Sequence, residues 1–153
     1  MAKIRGRGKL GDVVKIDLGN GSFGYGRVLP EPLMAFYDLQ SHDPVPAHEV
    51  VKSPILFSIW VMYHAIKSEK WEVIGNVPLE DQLKIKPRFF SQDILSKKFS
   101  IYDNGKDIPA TRDECIGLEC AAAWDGEHVE DRLRDYFAGV PNIWFESLKL
   151  PEA

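Results

Sequence analysis

After the first ten residues, the chain alternates apolar and polar side chains with the period of a β-strand. Val14, Ile16 and Leu18 fall on one face of the chain and polar residues separate them, which predicts a strand with one buried face. Asn20-Gly21 supplies the residues of a tight hairpin turn, and residues 23–29 continue as the returning strand. The pattern therefore predicts an N-terminal β-hairpin.

The glycines of this hairpin also match a nucleotide-binding pattern by their letters. Residues 19–24 read Gly-Asn-Gly-Ser-Phe-Gly, which fits G-x-G-x-x-G. A dinucleotide site needs a helix directly after the glycines, because the N–H groups at the helix N-terminus bind the pyrophosphate. A strand is predicted here, so the glycines favour a turn.

More strands follow, with loops between them. Composition and turn residues predict strands at 33–39, 55–66, 71–74 and 99–102. The second of these is apolar on both faces, which is typical of a central strand covered on both sides. Residues 40–49 are predicted to form a loop, and Phe89-Phe90 to enter the core.

The last third changes to helical spacing. Asp125 can cap a helix that Gly139 ends, and Val129, Leu133, Tyr136 and Phe137 form its predicted apolar stripe. Before this helix, residues 111–114 match a capping box, whereas 116–124 fit a strand and a helix equally well. After it, residues 143–148 are predicted to form a last strand.

These elements predict an α+β fold. We expect a mainly antiparallel sheet built from N-terminal hairpins, with a C-terminal amphipathic helix followed by a last strand. Residues 1–10 are predicted to be a flexible basic leader, and residues 11–150 a single domain. A chain of 153 residues with 44% apolar residues is long enough for one core.

The charge is uneven along the chain. The net charge is −4, but Lys3, Arg5, Arg7 and Lys9 place four positive charges at the start, which leaves 15 basic and 23 acidic residues, or −8, on the body. A nucleic-acid-binding domain needs a dense cationic face, so we expect no nucleic-acid partner.

The apolar content predicts a cytoplasmic protein without a membrane partner. The longest apolar stretch, residues 54–66, is shorter than the roughly 20 residues that span a bilayer. No apolar segment follows the basic leader, so no secretory signal is expected. Cys115 and Cys120 are too few for a disulfide scaffold, and we expect buried, reduced and inert thiols.

The strongest local signal is acidic. Residues 103–135 contain ten acidic and four basic residues, a net charge of −6. Such a region is either a solvated surface or a surface that attracts a basic protein and raises its association rate. The candidate contacts on and beside the predicted helix are Asp125, Glu127, Glu130, Asp131 and Asp135. On that helix Glu130 and Arg134 are spaced to pair, whereas Asp131 and Asp135 repel.

A second constellation allows a metal-dependent alternative. His42, Asp43, His48 and Glu49 lie on a proline-stiffened loop and have the side chains that divalent ions prefer. Neither a G-x-S-x-G nucleophile nor a Walker loop occurs. No catalytic residue and no cofactor is therefore predicted outside this alternative.

An ordered set of segments resembles the immunity protein 26 family. The resemblance extends over about residues 11–148 and is carried by Gly11-Asp12, Gly24-Tyr25-Gly26-Arg27-Val28-Leu29, Ala35-Phe36-Tyr37-Asp38-Leu39, Trp71, Ile74-Gly75-Asn76-Val77-Pro78-Leu79, the run EHVEDRLRDYFAG at 127–139 and Pro141-Asn142-Ile143-Trp144. It implies an α+β immunity protein of a bacterial polymorphic toxin system, which protects the producing cell by binding a cognate toxin. The acidic surface adds the expectation that this toxin is basic.

Part of the family name is shared with a small organophosphate-degrading phosphotriesterase. That likeness implies the alternative function, a metal-dependent hydrolase in which His42, Asp43, His48 and Glu49 bind the metal.

Overall fold

A computed structural model describes residues 8–62 and 68–152 of the protein. This part of the chain contains ten strands, four helices and a 3-10 turn at Asp113–Cys115. The strands are β1 (Asp12–Asp17), β2 (Phe23–Val28), β3 (Leu33–Tyr37), β4 (Ile55–Val61), β5 (Trp71–Asn76), β6 (Phe89–Gln92), β7 (Phe99–Asp103), β8 (Lys106–Ala110), β9 (Glu119–Cys120) and β10 (Ala123–Trp124). The helices are α1 (Ala47–Val50), α2 (Asp81–Lys84), α3 (Gly126–Ala138) and α4 (Ile143–Leu148).

Two sheets organise these elements, and the predicted α+β class is confirmed. The larger sheet has the order β10-β4-β3-β2-β1-β5, and the smaller one β8-β7-β6-β9. All neighbours are antiparallel except for the short β10 and β9, which run parallel to β4 and β6. The predicted hairpin is β1–β2, with Val13 opposite Arg27.

One face of the larger sheet packs against α3 and α4. The buried cluster there contains Val14, Ile16 and Trp71 from the sheet and Val129 and Leu133 from α3. The helix approaches closely because Gly24 in β2 has no side chain: a Cβ at that position would lie 3.2 Å from Leu133.

The opposite face is also covered. Val13, Tyr25, Tyr37 and Val50 form one buried cluster near α1. A second cluster joins β3 to α2 and to the smaller sheet, through Leu29, Leu33, Ala35, Leu83 and Phe89. The larger sheet is therefore the middle layer of the molecule, as the two apolar faces of β4 predicted.

The prediction of a last strand is wrong. Residues 143–148 form α4, because the Asn142 side chain accepts a hydrogen bond of 2.8 Å from the Phe145 N–H and caps the helix. Trp144, Phe145 and Leu148 then face the core at helical spacing. The same apolar residues fit either element, and the cap decides between them.

The other predictions have mixed outcomes. Thr111 and Glu114 form the reciprocal hydrogen bonds of the predicted capping box, at 2.9 and 3.3 Å, but the segment is a 3-10 turn. Residues 116–124 contain only β9 and β10.

Most of the predicted leader, as well as residues 63–66 of the predicted central strand, falls outside the described residues, and the single domain at 11–150 stays a prediction. Among the described helices, none has the length and apolar character needed to cross a membrane.

A buried arginine connects the layers. Arg27, in β2, is fully buried, and a guanidinium carries five N–H donors that all need acceptors. The acceptors are the carbonyl oxygens of Gly11, Val77 and Pro78, the Tyr37 hydroxyl and a Glu80 carboxylate oxygen, at 2.6–3.0 Å. Burial raises the pKa of Tyr37, so this hydroxyl stays neutral. One side chain therefore holds the start of β1, strand β3 and the segment after β5 together.

We predict that Arg27→Ala lowers the free energy of unfolding by roughly 3 kcal/mol, because it leaves buried acceptors without donors. Urea unfolding followed by circular dichroism measures this. Arg88→Ala, at an exposed arginine, is the matched control and should change the stability by no more than about 0.5 kcal/mol. Equal unfolding midpoints for the two variants would contradict the role of Arg27.

Candidate functional site

The predicted amphipathic helix is confirmed as α3, and the two residues predicted to cap it, Asp125 and Gly139, do so. The Asp125 side chain accepts a hydrogen bond of 3.0 Å from the Glu127 N–H at the start, and Gly139 ends the helix with φ +71°. Arg134 then donates 2.6 Å to the Leu18 carbonyl at the end of β1. The two caps therefore define the ends of the helix, and Arg134 connects one side of it to the chain directly after β1.

One of the predicted contact residues is buried. Glu130 is only 3% exposed and accepts a hydrogen bond of 2.8 Å from the Trp71 indole N–H. Lys70 lies 3.6 Å from its other carboxylate oxygen. Because these partners hold Glu130 against the sheet, it does not belong to the acidic surface that the charge pattern predicted.

Two further acids connect α3 to its neighbours. Asp131 accepts 3.1 Å from the Trp144 indole N–H and pairs with Arg134. Asp135 accepts 2.9 Å from the Asn142 side-chain amide. The pairing partner of Arg134 is therefore Asp131, three residues away, and the predicted pairing with Glu130 is wrong because Glu130 faces the core.

Glu127 has a different position. It is exposed in the first turn of α3, where a negative charge interacts favourably with the helix dipole. Asp125, Asp131 and Asp135 are half-buried, so their charges still act at the surface although their hydrogen bonds serve the fold. The structure thus separates the five candidates into one buried, three half-buried and one exposed carboxylate.

A pocket opens where α3 meets α4. Its volume is about 340 Å³, and we call it the corner pocket; it is lined by Leu56, Phe57, Arg132, Tyr136, Val140, Pro141, Asn142, Phe145 and Glu146. Most of these side chains are apolar, and Tyr136 and Val140 are 46% and 50% exposed. Ile143, at the start of α4, is 71% exposed. This corner therefore presents apolar surface to the solvent.

Tyr136 was expected in the buried stripe of α3, and that prediction is wrong. Its hydroxyl donates 3.1 Å to the carboxylate of exposed Asp38, and this bond raises the pKa of Tyr136. Glu146 lies on the other side of the pocket and pairs with Lys149 at 2.6 Å. Two carboxylates thus lie beside the apolar opening.

Arg132 is neutralised inside the corner. Its guanidinium makes two hydrogen bonds of 2.9 Å to the Glu119 carboxylate. Phe57 and Phe145 lie against it, with 3.6 and 4.5 Å between the guanidinium carbon and the ring centroids. Arg132 therefore supports the pocket wall, and Asp38 remains beside the opening as an exposed carboxylate.

The alternative metal ligands do not converge. His42 Nδ1 lies 3.1 Å from the Gly21 carbonyl oxygen. His48 lies 3.6 Å from Glu49, which pairs with Lys52 at 3.1 Å. Within residues 8–62 and 68–152, no three His, Cys, Asp or Glu side chains lie close enough to hold a metal ion. Asp43 is exposed on the loop beside His42, whereas His48 and Glu49 lie in α1, so the predicted loop at 40–49 is wrong at its last three residues.

The two cysteines have little nucleophilic character. Cys115 is fully buried and its Sγ lies 3.4 Å from the Thr111 carbonyl oxygen, whereas Cys120 is half-buried. Burial raises the pKa of both thiols, so they stay protonated near neutral pH. His128 is the histidine nearest to the two cysteines in sequence, and its ring stacks on Trp144 with 3.6 Å between the ring centroids.

The sequence did not predict the corner pocket, because the residues that line it lie far apart in the chain. Leu56 and Phe57 come from β4, and the others from α3, α4 and the turn between them. The one available signal was Tyr136, whose hydroxyl requires a polar partner and which therefore fits a half-exposed position better than a core stripe.

We predict that Glu130→Ala lowers the free energy of unfolding by about 2 kcal/mol, since it leaves the buried Trp71 N–H without an acceptor. Glu127→Ala, at the exposed acid of the same helix, is the control and should stay close to wild type. Urea unfolding measures both. A stability loss in Glu127→Ala as large as that in Glu130→Ala would contradict this assignment.

Comparison with known proteins gives one positive finding. A protein-family model described as Immunity protein 26 matches residues 9–101, which are 93 of the 153 residues. The matched segment contains β1 to β6 and the first half of β7, whereas α3 and α4 lie beyond it. No curated protein and no solved structure matches the chain.

Proposed function

The chain belongs to the immunity protein 26 family, and we propose that it neutralises a cognate toxin by stoichiometric binding through the α3–α4 corner. Membership of this family suggests a toxin-neutralising role that needs no catalysis. We place the encounter in the cytoplasm of the producing bacterium, where the toxin would otherwise act. A stable complex of this kind buries roughly 1,600 Å² in total.

The observation that carries this proposal is the corner pocket together with its carboxylates. The energetic centre of a protein interface is an apolar or aromatic cluster within a polar rim. Tyr136 and Val140 supply the exposed apolar part, and Asp38 and Glu146 supply polar groups beside it. This chemistry fits an apolar toxin side chain with lysine or arginine neighbours.

The surrounding charge favours the same partner. Asp125, Glu127, Asp131 and Asp135 place negative charge along α3, the helix whose second half borders the pocket, whereas buried Glu130 is left out of the contact surface. A field of one sign accelerates the approach of an oppositely charged protein. We therefore infer that the toxin presents a basic face.

The proposal is tested with any toxin domain that a gene next to this one encodes. We expect the purified proteins to form a 1:1 complex by light scattering coupled to size exclusion. Cells that express the toxin domain should survive only when the two proteins are expressed in comparable amounts. Absence of a complex, or protection by far less than one equivalent, would overturn stoichiometric binding.

We predict that Tyr136→Ala raises the Kd of this complex roughly 30-fold, the effect of losing an aromatic hot-spot residue. Tyr136→Phe is the matched control, because it keeps the ring and removes only the hydrogen bond to Asp38. It should stay within about threefold of wild type. Titration calorimetry measures both, and wild-type affinity in a folded Tyr136→Ala variant would exclude the corner pocket.

We also predict that Glu127→Lys slows association with the toxin at low salt, and that the difference from wild type shrinks at high salt because ions screen exposed charges. Asp81→Lys is the control: it changes the net charge equally but lies on α2, at the opposite face of the larger sheet. Stopped-flow measurements at two salt concentrations compare the three proteins. An equal slowing by Asp81→Lys would show that net charge, not the acidic face of α3, sets the rate.

A further inference from the structure

The hairpin between β6 and β7 presents two aliphatic side chains to the solvent. Ile94 is 83% exposed and Leu95 is 93% exposed, more than any other large apolar side chain in residues 8–62 and 68–152. They are adjacent and lie at the tip of the hairpin, so neither the sheet nor the helices cover them. Exposed apolar surface in one place is typical of an interaction site.

The tip has a defined conformation. Asp93 Oδ1 accepts hydrogen bonds from the N–H groups of Leu95 and Ser96, at 2.9 and 2.8 Å. The Asp93 N–H donates 2.9 Å to the Lys98 carbonyl, and the Lys97 N–H donates 2.9 Å to the Asp93 carbonyl. These bonds order Ile94 and Leu95 in the unbound protein, which reduces the entropy lost when a partner binds them.

The charge beside the tip is positive. Hydrogen bonds from the N–H groups of Ser96 and Leu95 lower the pKa of Asp93, so its carboxylate stays ionised. Lys97 and Lys98 follow directly and are both exposed. The tip therefore combines two aliphatic side chains with two cations and one carboxylate, a net charge of +1 over residues 93–98, which is opposite in sign to the charge of α3.

We propose that Ile94 and Leu95 form a second toxin contact, which inserts into an apolar cleft of the toxin that has carboxylates at its rim. This inference rests on the proposed function and adds a second, oppositely charged surface to it. Two surfaces of opposite sign determine the orientation of a complex as well as its affinity, because a reversed orientation brings like charges together.

A protein cleft fits the tip better than a lipid surface does. Stable attachment to a membrane takes more than one weak anchor, and the tip has only two aliphatic side chains and two lysines. The body of the chain is acidic, so anionic headgroups would repel it. A rigid, narrow tip matches a preformed cleft.

The test compares Ile94→Ser/Leu95→Ser with the control Ile85→Ser, which removes an aliphatic side chain that is 74% exposed at the end of α2. The probe is the same toxin domain that tests the proposed function, and binding is followed by biolayer interferometry. We expect the tip variant to raise Kd about 20-fold, mainly through faster dissociation, and the control to stay within about twofold. A third variant, Asp93→Ala, keeps both aliphatic side chains but loosens the tip, and should weaken binding by about fivefold.

Wild-type affinity in the tip variant would overturn this inference and leave the proposed function intact. Failure of the wild-type protein to bind the toxin domain would overturn both. A second arm tests vesicles of phosphatidylcholine and phosphatidylglycerol by co-sedimentation, and we expect no binding. Vesicle binding that depends on Ile94 and Leu95, together with unchanged toxin affinity in the tip variant, would assign the tip to membranes and exclude the toxin contact.

Discussion

The fold depends on how one buried cation is satisfied. Arg27 lies in the middle of the larger sheet with no exposed surface, and its guanidinium reaches Gly11 before β1, Tyr37 in β3 and the segment of Val77 to Glu80 after β5. Gly11 is required at this place, since it has φ +89° and a Cβ there would lie 2.6 Å from the Val77 carbonyl oxygen. A buried charge without these partners would destabilise the sheet, so the segments have to meet in one arrangement.

The carboxylates on and near α3 fall into two groups, those that stabilise the fold and those that remain exposed. Glu130, Asp131 and Asp135 hold α3 against Trp71, Trp144 and Asn142. Their geometry keeps the helix and the corner pocket in place, while Asp38 remains exposed beside the pocket and Glu127 remains exposed at the start of α3. In our proposal the first group positions the surface and the second attracts the toxin. The basic tip of the β6–β7 hairpin would then set the orientation of the partner.

Features that depend on neighbouring residues were predicted well. Alternation at Val14, Ile16 and Leu18, the turn at Asn20-Gly21, and the caps Asp125 and Gly139 all describe short-range preferences, and each element forms where it was expected. Residues 143–148 were predicted to be a strand because their apolar content fits both elements; the Asn142 cap, also a local signal, was overlooked. The burial of Glu130 has no local signal, since its hydrogen-bond partner Trp71 is 59 residues away.

The sequence by itself therefore determined the N-terminal hairpin, the helix at α3, the α+β class and the acidic balance. These follow from propensity, period and charge, which are properties of short segments. Only the tertiary structure decided which carboxylates are available, that Tyr136 borders a pocket, and that the four candidate metal ligands do not converge. The physical reason is that burial and pairing depend on residues brought together from distant parts of the chain, and no pattern within one segment records them.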